Sequence, residues 1–280
     1  MAAFPDIKGR LGVIAGKGRM PHALLERVLD EKVPLTIAAY VGVTDPELEK
    51  VVPPETQFVW AESLGQVGRV MGAFKKAGVT DVVMAGAFQR PSFQSLKVDV
   101  KGALWVAGIL KLPRGDDALL RYLGRKIQGE GFRMHAFQDF LPTMLAPKGP
   151  LGKHSGKVFQ ADADAGLRLL DALSPFDVGQ AVVVEGGWTL GIEGAEGTDR
   201  LIRRCGPLLR DKGRAVLIKT AKKGQDHRHD LPVIGPDTLD SMHESGLVGC
   251  FYRKGQALLM QPESLKDKAD ACGLFLEGLS

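Results

Sequence analysis

The 280-residue chain is poor in cysteine and in aromatic residues, carries little excess charge of either sign, and has no long apolar run. Three cysteines, Cys205, Cys250 and Cys272, are too few and too scattered for a disulfide framework or a zinc cluster, which points to a reducing compartment. Lys and Arg number 37 against 33 Asp and Glu, a net charge of +4. That surplus is too small to argue for nucleic acid, although it suits an anionic ligand or an anionic membrane surface. No stretch approaches the roughly 18 apolar residues of a membrane span. The N-terminus, interrupted by Asp6, Lys8 and Arg10, lacks the apolar core of a secretory signal. A cytoplasmic protein is expected. Glycine is the residue in excess, at 35 against 16 prolines, and it gathers where backbone turns sharply or approaches a ligand. Hydrophobic and charged fractions of 44% and 25% are those of an ordinary globular chain, long enough for one large domain or two of common size.

The first half alternates strand-like and helix-like segments. Leu11–Ala15, Leu35–Tyr40, Gln57–Trp60 and Asp81–Ala85 are compact apolar runs, and Pro21–Lys32 carries Leu24, Leu25, Val28 and Leu29 at helical spacing. Ser63 is placed to cap a helix ending before Gly78, and Val100–Lys111 and Asp116–Gln128 read as two more helices. Continuous apolar strands alternating with helices predict βαβ units and a parallel sheet, a Rossmann-like α/β domain. Between Asp139 and Gly156 prolines and glycines crowd together, which predicts a boundary near residue 145 and two domains, 1–145 and 146–280. The second half predicts a helix over Ala161–Leu173 with Asp162 on its solvated side. A hairpin through Gly186-Gly187 follows, then a helix over Thr198–Cys205 and a strand over Ala215–Lys219. A helix over Thr238–Glu244, two strands flanking Lys254-Gly255 and a last helix over Pro262–Cys272 complete a second α/β domain.

Several short segments carry chemistry. Gly16-Lys17-Gly18 joins the first strand to the first helix, and such a turn is either a phosphate-binding site or a tight connection. It lacks the third glycine of the dinucleotide fingerprint, since Pro21 stands there, and Leu35–Tyr40 supplies no ribose-binding acid. Gly86 closes another strand just before Arg90, which either reaches an anionic ligand or is a surface arginine in a turn. Asp116 and Asp117 either cap a helix or orient a divalent cation. Gln180 leads into the hairpin and can bond a base, a sugar or solvent. In Glu196-Gly197-Thr198-Asp199, two carboxylates bracket a hydroxyl at a helix start: a capping cluster with Thr198 as the cap, or a phosphate and Mg²⁺ site. The densest polar stretch runs from Lys219 through Gly224-Gln225-Asp226-His227-Arg228-His229-Asp230. If extended, it sets Asp226, Arg228 and Asp230 on one face and the histidines on the other. Carboxylate oxygens there suit Mg²⁺ better than a transition metal, because no third soft ligand follows the histidine spacing.

Taken in order, these segments together with Leu231-Pro232-Val233-Ile234-Gly235-Pro236 resemble the UDP-2,3-diacylglucosamine pyrophosphatases of Gram-negative bacteria, the class unrelated to the calcineurin-like phosphoesterases. The likeness spans nearly the whole chain, and Glu-Gly-Thr-Asp and Gly-Gln-Asp-x-Arg-x-Asp-Leu-Pro are its specific parts. The chain departs from the family's usual residues at Lys17, Gly194, Lys223 and His229. The resemblance implies a Rossmann-like domain followed by a C-terminal α/β domain, a Mg²⁺-dependent homodimer, and hydrolysis of UDP-2,3-diacylglucosamine to UMP and 2,3-diacylglucosamine 1-phosphate in lipid A synthesis. With this reaction in view, Asp226 is expected to hold the metal or orient the water. Lys219 and Arg228 would offset developing charge, and Glu196 or Asp199 would complete the metal shell. Gly16, Gly18, Gly86, Arg90, Gln180 and Thr198 would contact the substrate. Peripheral contact with the inner membrane is expected of an enzyme whose substrate is a lipid. A nicotinamide-dependent oxidoreductase and a non-catalytic nucleotide-binding protein are the alternatives.

Overall fold

The computed structural model describes residues 4–88, 96–112, 116–211, 213–225 and 231–280, and within them two compact units, Met1–Pro142 and Thr143–Ser280. The first unit runs β1 (Arg10–Ala15), α1 (Met20–Asp30), β2 (Leu35–Tyr40), β3 (Gln57–Ala61), α2 (Val67–Lys76) and β4 (Val79–Ala85). It ends with α3 (Val100–Ile109), α4 (Asp116–Gly129), β5 (Arg133–His135) and the single turn α5 (Phe137–Phe140). Its five strands are all parallel, in the order β3-β2-β1-β4-β5. The expected Rossmann-like sheet is therefore present, with its order reversing between β1 and β4. Every residue of β2 is buried, which is why it reads as an unbroken apolar run. Phe74 of α2, Trp105 of α3, Ile127 of α4 and Phe132 pack together against one face of the sheet. Helix α2 starts at Val67 after an uncapped Gln66, so Ser63 is not its cap; the Ser63 hydroxyl accepts from the Gly65 amide instead, at 3.3 Å.

The second unit runs β6 (Gly149–Pro150), α6 (Gln160–Leu173), β7 (Ala181–Glu185), β8 (Trp188–Ile192), α7 (Thr198–Cys205) and β9 (Ala215–Lys219). It continues with β10 (Val233–Ile234), α8 (Pro236–Ser245), β11 (Gly249–Arg253), β12 (Leu258–Leu259), α9 (Pro262–Ala271) and β13 (Phe275–Leu279). Six strands form a mixed sheet in the order β6-β13-β11-β9-β7-β8, in which β9, β11 and β13 are parallel and β7 runs antiparallel to both its neighbours, β9 and β8. Val183 and Leu217 point to the side packed by α7, α8 and α9. Val182, Val184, Val216 and Ile218 point to the side packed by α6. Both faces are covered, as the apolar strands require.

Both strands expected around Lys254-Gly255 are present: β11 lies between β9 and β13, while β12 pairs with β10. The last helix is followed by a strand, β13, that periodicity did not reveal. Asp162 is not solvated. It is 7% exposed, and its carboxylate accepts from the Gly186 amide at 3.1 Å and the Gly187 amide at 2.6 Å. That anchor holds a two-residue turn whose glycines, at φ 55° and 83°, both occupy the left-handed region that such a hairpin needs.

Candidate active site

Two groups of side chains lie at strand ends, one in each unit. Open α/β sheets bind ligands beyond the carboxyl ends of their strands, at the point where the strand order reverses. In the first unit that point is the gap between β1 and β4, and the turns after both strands meet there. The Gly16 amide donates to the Ala85 carbonyl at 2.8 Å, and Lys17 and Ala87 exchange two backbone bonds of 2.9 Å. A Cβ on Gly16 would come within 2.8 Å of the Ala87 oxygen, and one on Gly86 within 2.7 Å of the Lys17 oxygen. These glycines are thus needed for two backbones to lie against each other. The amides of Gly16 and Lys17 are committed to the sheet. Gly18, at φ 96°, has open space where a side chain would be, just ahead of α1. Thr44 ties the neighbouring strand ends together, donating to the Ala15 carbonyl at 2.5 Å and accepting from the Tyr40 amide at 2.8 Å. Arg90 lies outside the described residues.

In the second unit the antiparallel hairpin changes which residues share an edge. Ala181, the first residue of β7, sits opposite Lys219, the last of β9. The Thr220 amide donates to the Gln180 carbonyl and the Glu193 amide to the Ala181 carbonyl. The start of β7, the end of β8 and the end of β9 therefore meet at one edge. The loop after β11 joins them through a 3.0 Å bond from the Thr220 hydroxyl to the Gln256 amide oxygen. Gln180, Glu196, Thr198, Asp199 and Lys219 all lie on the segments gathered there. Asp226 and Arg228 lie outside the described residues, directly after Gln225, which belongs to the same group. The Gln225 side-chain oxygen accepts from the Gln180 side chain at 3.0 Å and from the Lys222 amide at 2.9 Å, and Lys222 is ion-paired with Asp177.

The hub of this group is Glu193, which motif reading passed over. Its carboxylate accepts from the Gln180 amide and from the Thr198 hydroxyl, both at 2.6 Å. Thr198 is consequently not the helix cap. Gly197, at φ 83°, fills that position, and Thr198 is the first residue of α7 with its hydroxyl turned back to Glu193. The only sequence signal for Glu193 was a carboxylate at the end of a hairpin strand, which a solvated face would show equally. Glu196 is occupied as well: it receives the Arg204 guanidinium at 2.9 and 3.1 Å and the Gly194 amide at 3.1 Å. Its own backbone amide and Arg204 hold its pKa below the usual carboxylate value. Asp199 accepts from the Thr238 hydroxyl of α8 at 3.1 Å. Lys219 is buried, and its Nζ donates to the Val233 carbonyl at 2.7 Å. Nearby Cys250 is fully buried, and burial pushes its thiol up to about 12, so it stays a neutral core residue rather than a nucleophile.

Among the described residues no three carboxylate, histidine or cysteine side chains converge on a point that would hold a metal ion. The donors that are present are hard oxygens, the kind Mg²⁺ takes one or two at a time with substrate oxygens and water filling the remainder. Asp199 fits that use, whereas Glu196 would first have to release Arg204.

Comparison with known proteins accounts for both halves. Residues 10–144 match the family model described as the LpxI N-terminal domain, and residues 147–277 match the LpxI C-terminal domain. The UDP-2,3-diacylglucosamine pyrophosphatase LpxI of Caulobacter vibrioides is 32% identical over 278 residues, covering 96% of this chain and 97% of its own.

Proposed function

Because the chain belongs to the LpxI family, we propose that it hydrolyses the pyrophosphate bond of UDP-2,3-diacylglucosamine, giving UMP and 2,3-diacylglucosamine 1-phosphate. The structural observation that supports this reading is the gathering of Gln180, Glu193, Asp199, Lys219 and Gln225 at one sheet edge, where the chain enters Asp226–Asp230. A nicotinamide enzyme would need an acid at the end of β2, and that strand ends in Tyr40.

Pyrophosphate hydrolysis asks the protein to offset charge on the non-bridging oxygens and to place a water in line. A bound Mg²⁺ would supply part of that charge. Asp226 and Asp199 are the carboxylates we assign to hold it, with Asp226 also orienting the water. Lys219, steadied by the Val233 carbonyl, keeps its ammonium at the end of β9, and Arg228 adds a second cation. Gln180 and Thr198 serve by position: their bonds to Glu193 fix the start of β7 and the start of α7 around the reacting phosphates. The open turn at Gly18 and the uncapped start of α1 are of the kind that receives a phosphate.

The acyl chains of the substrate call for contact with the cytoplasmic face of the inner membrane. No helix of the described residues is long and apolar enough to cross a bilayer, so that contact would be peripheral. The family resemblance adds a homodimer. The deciding experiment is incubation with UDP-2,3-diacylglucosamine and Mg²⁺. UMP release that stops with excess EDTA and returns with added Mg²⁺ is expected. Absence of UMP would overturn the reaction, and full turnover after rigorous chelation would overturn the metal.

A further inference from the structure

Helix α3 carries an apolar stripe on the wrong side for a core. Val100, Leu104 and Leu110 are 84%, 69% and 66% exposed, and Val98 just before the helix is 45% exposed. Ala103 and Ala107 are exposed on the same stripe, so positions 100, 103, 104, 107 and 110 form one continuous face. The helix cannot roll to hide it. Its opposite side is locked by buried Trp105 and by Gly102, where a Cβ would stand 1.8 Å from the Gly65 oxygen. Asp99 fastens the helix start, accepting from the Gly102 amide at 2.7 Å and from the Arg69 amide of α2 at 2.9 Å.

Charge is concentrated beside this stripe. Among the described residues 97–112 and 118–130, six basic side chains, Lys97, Lys101, Lys111, Arg121, Arg125 and Lys126, stand against two acidic ones, Asp99 and Glu130. Lys111 extends the exposed face of α3, and Arg125 and Lys126 are exposed on neighbouring α4. Between the two helices lies a pocket of about 490 Å³ lined by Trp105, Tyr122, Arg125, Lys126, Gly129 and Glu130. Its one carboxylate, Glu130, is neutralised by Lys75 and Lys101, each at 2.6 Å. An apolar helix face edged by cations is the surface that lies in the headgroup layer of an anionic membrane.

We propose that the exposed face of α3, with the cations of α4 beside it, is the surface by which this protein rests on a bilayer of anionic phospholipid. The aliphatic side chains enter the acyl boundary, and the exposed cations of α4 meet the headgroup phosphates. A second copy of the chain is a poorer occupant, because a two-fold contact here would press two basic surpluses together, whereas an anionic bilayer offsets them. The inference rests on the reading that the substrate is a membrane lipid, and its test does not.

The test is co-sedimentation of the full chain with phosphatidylcholine vesicles, with and without a third of the lipid replaced by phosphatidylglycerol. The wild type should bind the anionic vesicles about tenfold or more better, and salt should weaken that binding. Leu104→Asp, at a solvent-facing position that leaves the core untouched, should lose about tenfold or more of it. Arg125→Ala should lose about fivefold. Leu104→Asp should keep wild-type turnover of detergent-dispersed substrate. Wild-type vesicle binding by Leu104→Asp, or no preference of the wild type for anionic vesicles, would overturn the proposal. So would a Leu104→Asp chain that sediments as a smaller oligomer in the absence of lipid, because the face would then belong to a second copy. Failure of every variant and the wild type to release UMP would count against the pyrophosphatase reading alone.

Discussion

Replacing Glu193 by alanine is the sharpest test of how the second unit builds its polar edge. The carboxylate receives two bonds of 2.6 Å, one from the backbone of Gln180 and one from the hydroxyl of Thr198. Hydrogen bonds to a charged acceptor contribute about 1.5–3 kcal/mol each. Glu193 is only half-buried, so water can serve the abandoned donors in part, and a net loss of about 2–3 kcal/mol is expected. With a urea slope of about 2 kcal/mol per molar, the unfolding midpoint should fall by about 1 M. Glu193→Gln keeps an acceptor oxygen and should fall in between. Because Glu193 and Thr198 touch, the Thr198→Val and Glu193→Ala effects should not add: a double-mutant cycle should give a coupling of about 1 kcal/mol or more. Turnover should drop about ten- to a hundredfold, since the starts of β7 and α7 would lose their fixed positions. A midpoint shift under about 0.3 M, or strictly additive variants, would refute the role of Glu193 as the hub.

Asp226→Ala should lower kcat by about two to four orders of magnitude with little change in KM, because a metal-holding or water-orienting group acts mainly in the transition state; a folded variant with near-normal kcat in a UMP-release assay would remove Asp226 from the mechanism. Asp162→Ala should cost about 2–4 kcal/mol in urea unfolding, since it frees two glycine amides from a buried carboxylate, and an unchanged midpoint would show that the hairpin turn stands without it. Burial raises the pKa of Asp81, yet bonds from Arg133 Nε at 2.5 Å, from Thr80 and from His135 outweigh it and hold the group below its ordinary value. Its contribution is therefore complete above a pH of about 4 and lost as the pH falls through the depressed pKa, so the melting temperature should decline below about pH 4, and less steeply in Asp81→Asn.

Elements whose residues carry their own signal were legible in the sequence. The strands at Leu35–Tyr40 and Ala215–Lys219 are unbroken apolar runs because both faces of their sheets are covered, and Thr198–Cys205 shows its buried Leu201, Ile202 and Cys205 at helical spacing. What escaped is held in place by distant partners. In β13, Glu277 and Gly278 break the apolar run: Glu277 accepts from Ser155 and the Gly156 amide, and Gly278 leaves room for the Pro147 carbonyl, 1.9 Å from where a Cβ would stand. Strand β5 is three residues long and is tied to β4 by Arg133 and His135, both reaching Asp81 more than fifty positions away. The candidate site divides in the same way. Glu196-Gly197-Thr198-Asp199 stands out as a local pattern, but its partners Glu193, Arg204 and Thr238 are set by how β8, α7 and α8 meet.

The reversal of one strand explains why so many polar groups reach a single edge in the second unit. In a wholly parallel sheet each strand offers only its carboxyl end to a ligand. Here β7 runs against β9, so the residue that enters the hairpin, Gln180, arrives beside the residue that leaves β9, Lys219. The exit of the hairpin, Glu193, returns to the same place and binds its own entrance. The hairpin is pinned at its far end by Asp162 and at its near end by Glu193, with an irregularity between Val183 and Val184 that shifts its register. Gly191 keeps the partner strand close to α7, since a Cβ there would lie 2.6 Å from the Cys205 sulfur. A slip of one residue would turn every side chain of β7 to the opposite face and carry Gln180 away from Lys219. The polar edge is thus a property of hairpin register, and the two carboxylates that pin the hairpin hold that register.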